Sequence, residues 1–198
     1  MDLYQSERLI YRAYDAPKDD DFYHSFHSDP SVYLNTWKGL PQPVTKQTIE
    51  MLRKLCEASL LFVVVCKKPP PNSSSADKPE PEPIGTMAIR GTSSDLAHNR
   101  CGELGIEFKR DAQGQGYGPE AMRWALNWSF TTANLHRVQL EAYDWNQKAL
   151  RAYKSVGFRE EGRLRQAIWR DGRWWDELIF GILRDEWSES GANVHVPS

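Results

Sequence analysis

Little in this chain points to a membrane, a nucleic acid or an oxidising compartment. No uncharged stretch approaches the roughly 18 residues needed to cross a bilayer. The opening MDLYQSERLIYRAYDAP lacks the basic segment and apolar run of a targeting leader. Neither charge sign dominates: 25 Lys and Arg against 27 Asp and Glu leave a formal net charge of -2. So mixed a balance speaks against a broad footprint for nucleic acid or anionic lipid. Cysteine is scarce, with Cys56, Cys66 and Cys101 in no CxxC or Cys/His spacing. They read as small core residues in a reducing, cytoplasmic setting. His24 and His27 form HxxH in an expected helix, but no third ligand stands nearby, so both are expected at the surface and no metal site is expected.

What is present suits one mixed α+β domain over residues 1–198, since 198 residues can bury a single sizeable core. ERLIYRAY (7–14) alternates as a strand, and Asp19 to Ser28 reads as a short helix stopped near Asp29-Pro30. The acidic run Asp19, Asp20, Asp21 is expected as an exposed helix start. Ile49, Leu52, Leu55 and Cys56 fall at helical spacing behind a candidate cap, Thr45. LLFVVVCKK is a buried strand, and EPIGTMAIRG and CGELGIEFKR are further strands. Between the first two of these, residues 67–83 are rich in proline, serine and charge, which predicts a flexible hairpin tip. A helix from Pro119 to about Ala133, a strand over Arg137 to Tyr143 and a helix from Asn146 to about Val156 follow. Two strands then turn at Asp171-Gly172, and residues 188–198 are expected as a short disordered tail. Trp169, Trp174, Trp175 and Trp187 are expected mostly in the core, with one or two left to wall a pocket.

The chemistry concentrates in QGQGYGPEA, between a strand and a helix. Gly114, Gly116 and Gly118 remove side chains and permit positive φ, so backbone N–H groups at a helix start can meet an anion closely. The stretch is neither GxxxxGK[ST] nor GxGxxG. It resembles the [QR]xxGx[GA] acyl-CoA pyrophosphate loop of the Gcn5-related N-acetyltransferase (GNAT) superfamily, with Gln113, Gly116 and Gly118 at the defining positions. WNQKALRAYKSVGF resembles that superfamily's NxxAxxxYxxxGF signature at Asn146, Ala149, Tyr153, Gly157 and Phe158. YGPEA and DGRWWDELIFGILRDEW further resemble the branch that includes ribosomal-protein N-terminal acetyltransferases.

The resemblance implies a central, mostly antiparallel sheet flanked by helices, with strands 103–109 and 137–143 parallel and splayed around a pantetheine slot. It implies acetyl-CoA as cosubstrate, its diphosphate on the backbone of Gln113, Gly114, Gln115, Gly116, Tyr117 and Gly118, and Asn146, Ala149 and Tyr153 along the rest of the cofactor. Tyr153 is implied as proton donor to the departing thiolate. Glu103 or Glu107, four apart on one strand, are the candidate bases, with Glu103 preferred because its segment resembles the position where relatives carry a glutamate. The expected activity is acetyl transfer from acetyl-CoA to a primary amine, either a protein N-terminus or a small molecule, by a monomer or homodimer. Two readings stay open beside it. One is a non-catalytic acyl-CoA-binding or sensor module; the other is an adaptor that uses the 67–83 loop.

Overall fold

Leu9 and Tyr11, two apart and almost fully buried, set the inward face of the first strand, β1 (Leu9–Arg12). β1 runs antiparallel to β2 (Ser59–Lys67), from Leu9↔Lys67 to Arg12↔Val64. Val63 to Cys66 are buried on both faces, which is why this stretch reads as a continuous β-branched run rather than an alternation. The computed structural model describes residues 3–69 and 80–189. Most of the expected proline-rich tip, residues 70–79, and nearly all of the expected tail, residues 190–198, lie outside them.

Seven strands form one sheet in the order β1-β2-β3-β4-β5-β7-β6. β3 is Glu82–Gly91, β4 Cys101–Phe108, β5 Arg137–Tyr143, β6 Arg159–Arg170 and β7 Arg173–Leu183. The sheet is mostly antiparallel, with β4 and β5 as the one parallel pair. Their register runs over three pairs, Cys101↔Arg137 to Glu103↔Gln139, while β4 continues to Phe108 and β5 to Tyr143. The helices are α1 (Asp20–His27), α2 (Pro30–Thr36), α3 (Lys46–Ala58), α4 (Tyr117–Asn127), α5 (Gln147–Val156) and α6 (Arg184–Glu189). By packing, the chain divides into two compact units, Met1–Ala88 with Ile106–Ala121, and Ile89–Gly105 with Met122–Ser198. Among the described residues no helix is long and apolar enough to cross a membrane.

In the first unit α1 to α3 gather Tyr23, Val32 and Leu52 into a small core against Ile49, Cys56 and Phe62. Thr45 caps α3 as expected, its side chain and that of Thr48 exchanging bonds with each other's backbone N–H. α1 ends at His27, just before Asp29-Pro30 as expected, but the same dipeptide also opens a helix that was not expected, α2. Asp29 accepts from the Ser31 N–H while Pro30 occupies the first turn, where a missing N–H costs nothing, so the dipeptide starts a helix. Asp19 is also unlike the expected solvated residue: it is 2% exposed, with the Arg12 guanidinium bound to both its oxygens at 2.6 and 2.7 Å.

In the second unit, α4 passes into one wide π turn, Trp128–Thr132. α5 ends where Gly157 takes φ 109°, and Phe158 then plugs the core. Asp171 and Gly172, at φ 51° and 76°, make the expected tight turn between β6 and β7. The tryptophans correct the sequence reading. Trp187 is buried, but Trp169 and Trp174 are 59% and 54% exposed. The reason lies in the register: β5 reaches only Glu177 of β7, so the far part of the β6–β7 hairpin extends past its neighbour. The three cysteines are free thiols, and burial pushes that of Cys56 up to about 11.

Candidate active site

After β4 the chain makes one turn at Arg110–Ala112 and enters the glycine loop. Gly114 and Gly116 adopt φ of 78° and 82°, a region that side chains disfavour, and a Cβ on Gly114 would meet nothing within 4 Å. Gly118 contributes differently. It lies inside the first turn of α4 without a positive φ, and a Cβ there would meet only the Phe108 ring, at 3.9 Å. The first backbone bond into α4 is Glu120 N–H to Gly116 C=O at 3.4 Å. The N–H groups at the start of such a helix have no partner within it, and Pro119 has none to satisfy. The loop's shape is held from within: Gln113 Nε2 donates to Phe108 C=O at 3.0 Å, and Gln115 Nε2 to Asp111 C=O at 2.6 Å. The glutamines therefore shape the loop with their side chains.

Arg8, which the sequence reading passed over, borders this loop. Its Nη1 donates to Gln115 C=O at 3.0 Å, its Nε to Glu120 at 2.7 Å, and its guanidinium lies 4.8 Å from the Tyr117 ring centre. Burial alone raises the Glu120 carboxyl's pKa, but the Arg8 N–H, the Ser6 hydroxyl and the Arg8 guanidinium together hold it below the usual range. Backbone amides at a helix start and two left-handed glycines, braced by the Arg8–Glu120 pair, are groups that can meet an anion closely.

The same unit holds Glu107. Thr86 Oγ1 donates to its Oε1 at 2.8 Å, and His27 Nε2 lies 2.9 Å from the same oxygen. His27 is thus no surface histidine: its side chain is 9% exposed and its ring stacks on Tyr23, centroids 3.9 Å apart. Among the described residues no cluster of His, Cys, Asp and Glu could hold a metal.

Glu103 belongs to the second unit, where it forms an ion pair with Arg90. There Asn146 caps α5, its Oδ1 accepting the Ala149 N–H at 3.2 Å, so the two motif residues are joined. Tyr153 follows on the same helix, half-buried, with its ring 6.0 Å from Phe180 and 6.3 Å from Phe158. Burial, reinforced by Tyr143, pushes its phenol up to about 12. Trp145 of the same motif stacks on Tyr143 at 4.6 Å, meets Trp175 edge-on at 5.6 Å, and has the Arg170 guanidinium 4.3 Å from its ring centre.

A glycine loop after β4 and a parallel strand pair whose ladder stops early are features that an acyl-CoA-dependent transferase would show. A family model described as Acetyltransferase (GNAT) domain matches residues 8–159, and the chain belongs to this family, N-acetyltransferases that use acetyl-CoA. It is 25% identical over 193 residues to an uncharacterized N-acetyltransferase, p20, from Bacillus licheniformis, covering 95% of this chain and 99% of that one. It is 34% identical over 89 residues to the spermidine N(1)-acetyltransferase of Vibrio cholerae, covering 45% of this chain and 51% of that protein. Such matches span about half the length of several curated relatives. The fold is similar to the crystal structure of spermidine N-acetyltransferase from Vibrio cholerae in complex with CoA and spermine, at TM-score 0.73 and 23% identity, covering 92% of this chain and 99% of that one.

Proposed function

We propose that this protein acetylates a primary amine of a small polyamine-like acceptor at the expense of acetyl-CoA. The observation that carries the reading is the glycine loop, with Gly114 and Gly116 in left-handed conformations at the mouth of α4. The backbone N–H groups of Gly116, Tyr117 and Gly118 would hold the diphosphate, with the Arg8–Glu120 pair bracing the loop beside them. Asn146 would contact the pantetheine while capping α5. Acetyl-CoA supplies a thioester carbonyl open to attack by an amine.

Of the two candidate bases, Glu107 is favoured. Glu103 is engaged by Arg90. The bonds to Glu107 fall on one oxygen, and among the described residues none reaches the other. Glu107 would take the amine's proton and Tyr153 would give one to the departing thiolate. A phenol pushed up to about 12 is protonated throughout the working range, which suits a donor. The polyamine-like acceptor draws its support from the relative named a spermidine N(1)-acetyltransferase. A peptide N-terminus is the second reading, carried by the YGPEA and DGRWW segments. A cytoplasmic home suits a protein with three free thiols that draws on acetyl-CoA.

Thiol release from acetyl-CoA, followed against spermidine, spermine, amino acids and N-terminal peptides, tests this reading. Spermidine or spermine should give the highest kcat/KM; a preference for peptides would move the assignment to the second reading. With the best acceptor, Tyr153→Phe should lower kcat about 10- to 100-fold with the KM for acetyl-CoA unchanged and no alteration of the alkaline limb up to pH 10. Equal kcat in both proteins removes Tyr153 from the reaction.

A further inference from the structure

We infer that His27 is a positioning residue for the reaction. Its Nε2–H and the Thr86 hydroxyl converge on one oxygen of Glu107 and hold the other toward the amine. The inference rests on the reading of Glu107 as base.

A carboxylate only accepts hydrogen bonds, so both of its partners must donate. The Thr86 hydroxyl does so at 2.8 Å, and the 2.9 Å contact from His27 requires the ring proton on Nε2. Two donors on Oε1 stop the carboxyl group from rotating about its last bond, and they leave Oε2 as the lone-pair site. The anchors are themselves constrained. Thr86 is 3% exposed within β3. His27 is the last residue of α1, its ring clamped against that of Tyr23 at an interplanar angle of 27°. Tyr23 is buried in the small core of α1 to α3, so a helix from the beginning of the chain is tied to a strand residue 80 positions later.

As the new N–C bond forms and the thioester C–S bond breaks, the sulfur leaves as a thiolate that takes the proton proposed for Tyr153. The proton leaving the amine passes to Oε2, turning the carboxylate into the acid, and water then carries that proton away from Glu107 and restores one to the phenolate. His27 neither gains nor loses a proton. Its contribution is orientation, and groups that orient a reacting or ligating side chain are commonly worth about 10- to 100-fold.

The test is a double-mutant cycle on the full chain, with acetyl-CoA and the best acceptor among spermidine, spermine and N-terminal peptides. His27→Phe keeps an aromatic ring against Tyr23 and deletes the donor; His27→Gln restores an N–H; Glu107→Gln removes the base while keeping an oxygen that Thr86 and His27 can reach. We expect His27→Phe to lower kcat about 10- to 100-fold with the KM for acetyl-CoA within about 2-fold, and His27→Gln to recover most of the loss. In the Glu107→Gln background, His27→Phe should change kcat less than about 2-fold, because the base it orients is already gone. Thr86→Val should behave like His27→Phe in both backgrounds, and it carries the cycle if His27→Phe fails to fold. An equal loss in both backgrounds would overturn the inference, as would full kcat in His27→Phe beside a slow Glu107→Gln. Full kcat in Glu107→Gln, or no turnover of any amine, would overturn the base reading itself.

Discussion

Asp19 shows how much one side chain can carry in this molecule. Burial raises its carboxyl's pKa, but the Arg12 guanidinium and the Asp15 N–H outweigh that effect and hold it below the ordinary aspartate value. A depressed folded-state pKa stabilises the fold above the ordinary value, and that stability is lost as pH falls below it. Asp19→Asn should therefore cost about 3 kcal/mol at neutral pH, because it leaves Arg12 without its counter-charge, and lower Tm on the order of 5–10 °C. It should also flatten the loss of stability below about pH 4, which thermal melts from pH 2 to pH 7 would record. A melt series in which the wild type and the variant fall in parallel would contradict this. The run of three aspartates in the sequence says only that acid is present. That one of them turns inward depends on Arg12, seven residues earlier and on a different element.

At the scale of elements, the local signals were legible and the terminations less so. β5 spans the same residues, Arg137–Tyr143, that alternation predicts, and α5 begins and ends on the cap and glycine that mark it in the sequence. α2 was hidden because proline marks both the end of one helix and the start of the next. α6 and the π turn after α4 carry no distinctive residue pattern. α5 also bears a prediction, since Asn146 has two proposed duties. Asn146→Ser retains a capping oxygen and should keep Tm, while the KM for acetyl-CoA rises about 5-fold for the loss of one hydrogen bond near 1 kcal/mol. Asn146→Ala should raise KM similarly and cost about 1 kcal/mol of stability as well. An unchanged KM in both would confine Asn146 to its helix.

For the molecule as a whole, the family was readable because its signatures are local strings of residues. The pairs around the proposed site are not local. Arg8 meets Glu120 across 112 positions and His27 meets Glu107 across 80, so no window of sequence displays either, and His27 read as a surface residue in an HxxH string. Glu103 and Glu107 share one strand and the sequence reading preferred Glu103; their partners, Arg90 for one and Thr86 with His27 for the other, distinguish them and turn the preference to Glu107. The account as a whole depends on the loop before α4 gripping a diphosphate through its backbone. The most direct measurement is a titration of 15N-labelled protein with coenzyme A, followed by amide chemical shifts. The account predicts the largest changes at the N–H groups of Gly116, Tyr117 and Gly118, and inorganic pyrophosphate should reproduce them at higher concentration. Saturable binding that leaves these three amides unmoved, or no binding at all, would contradict it.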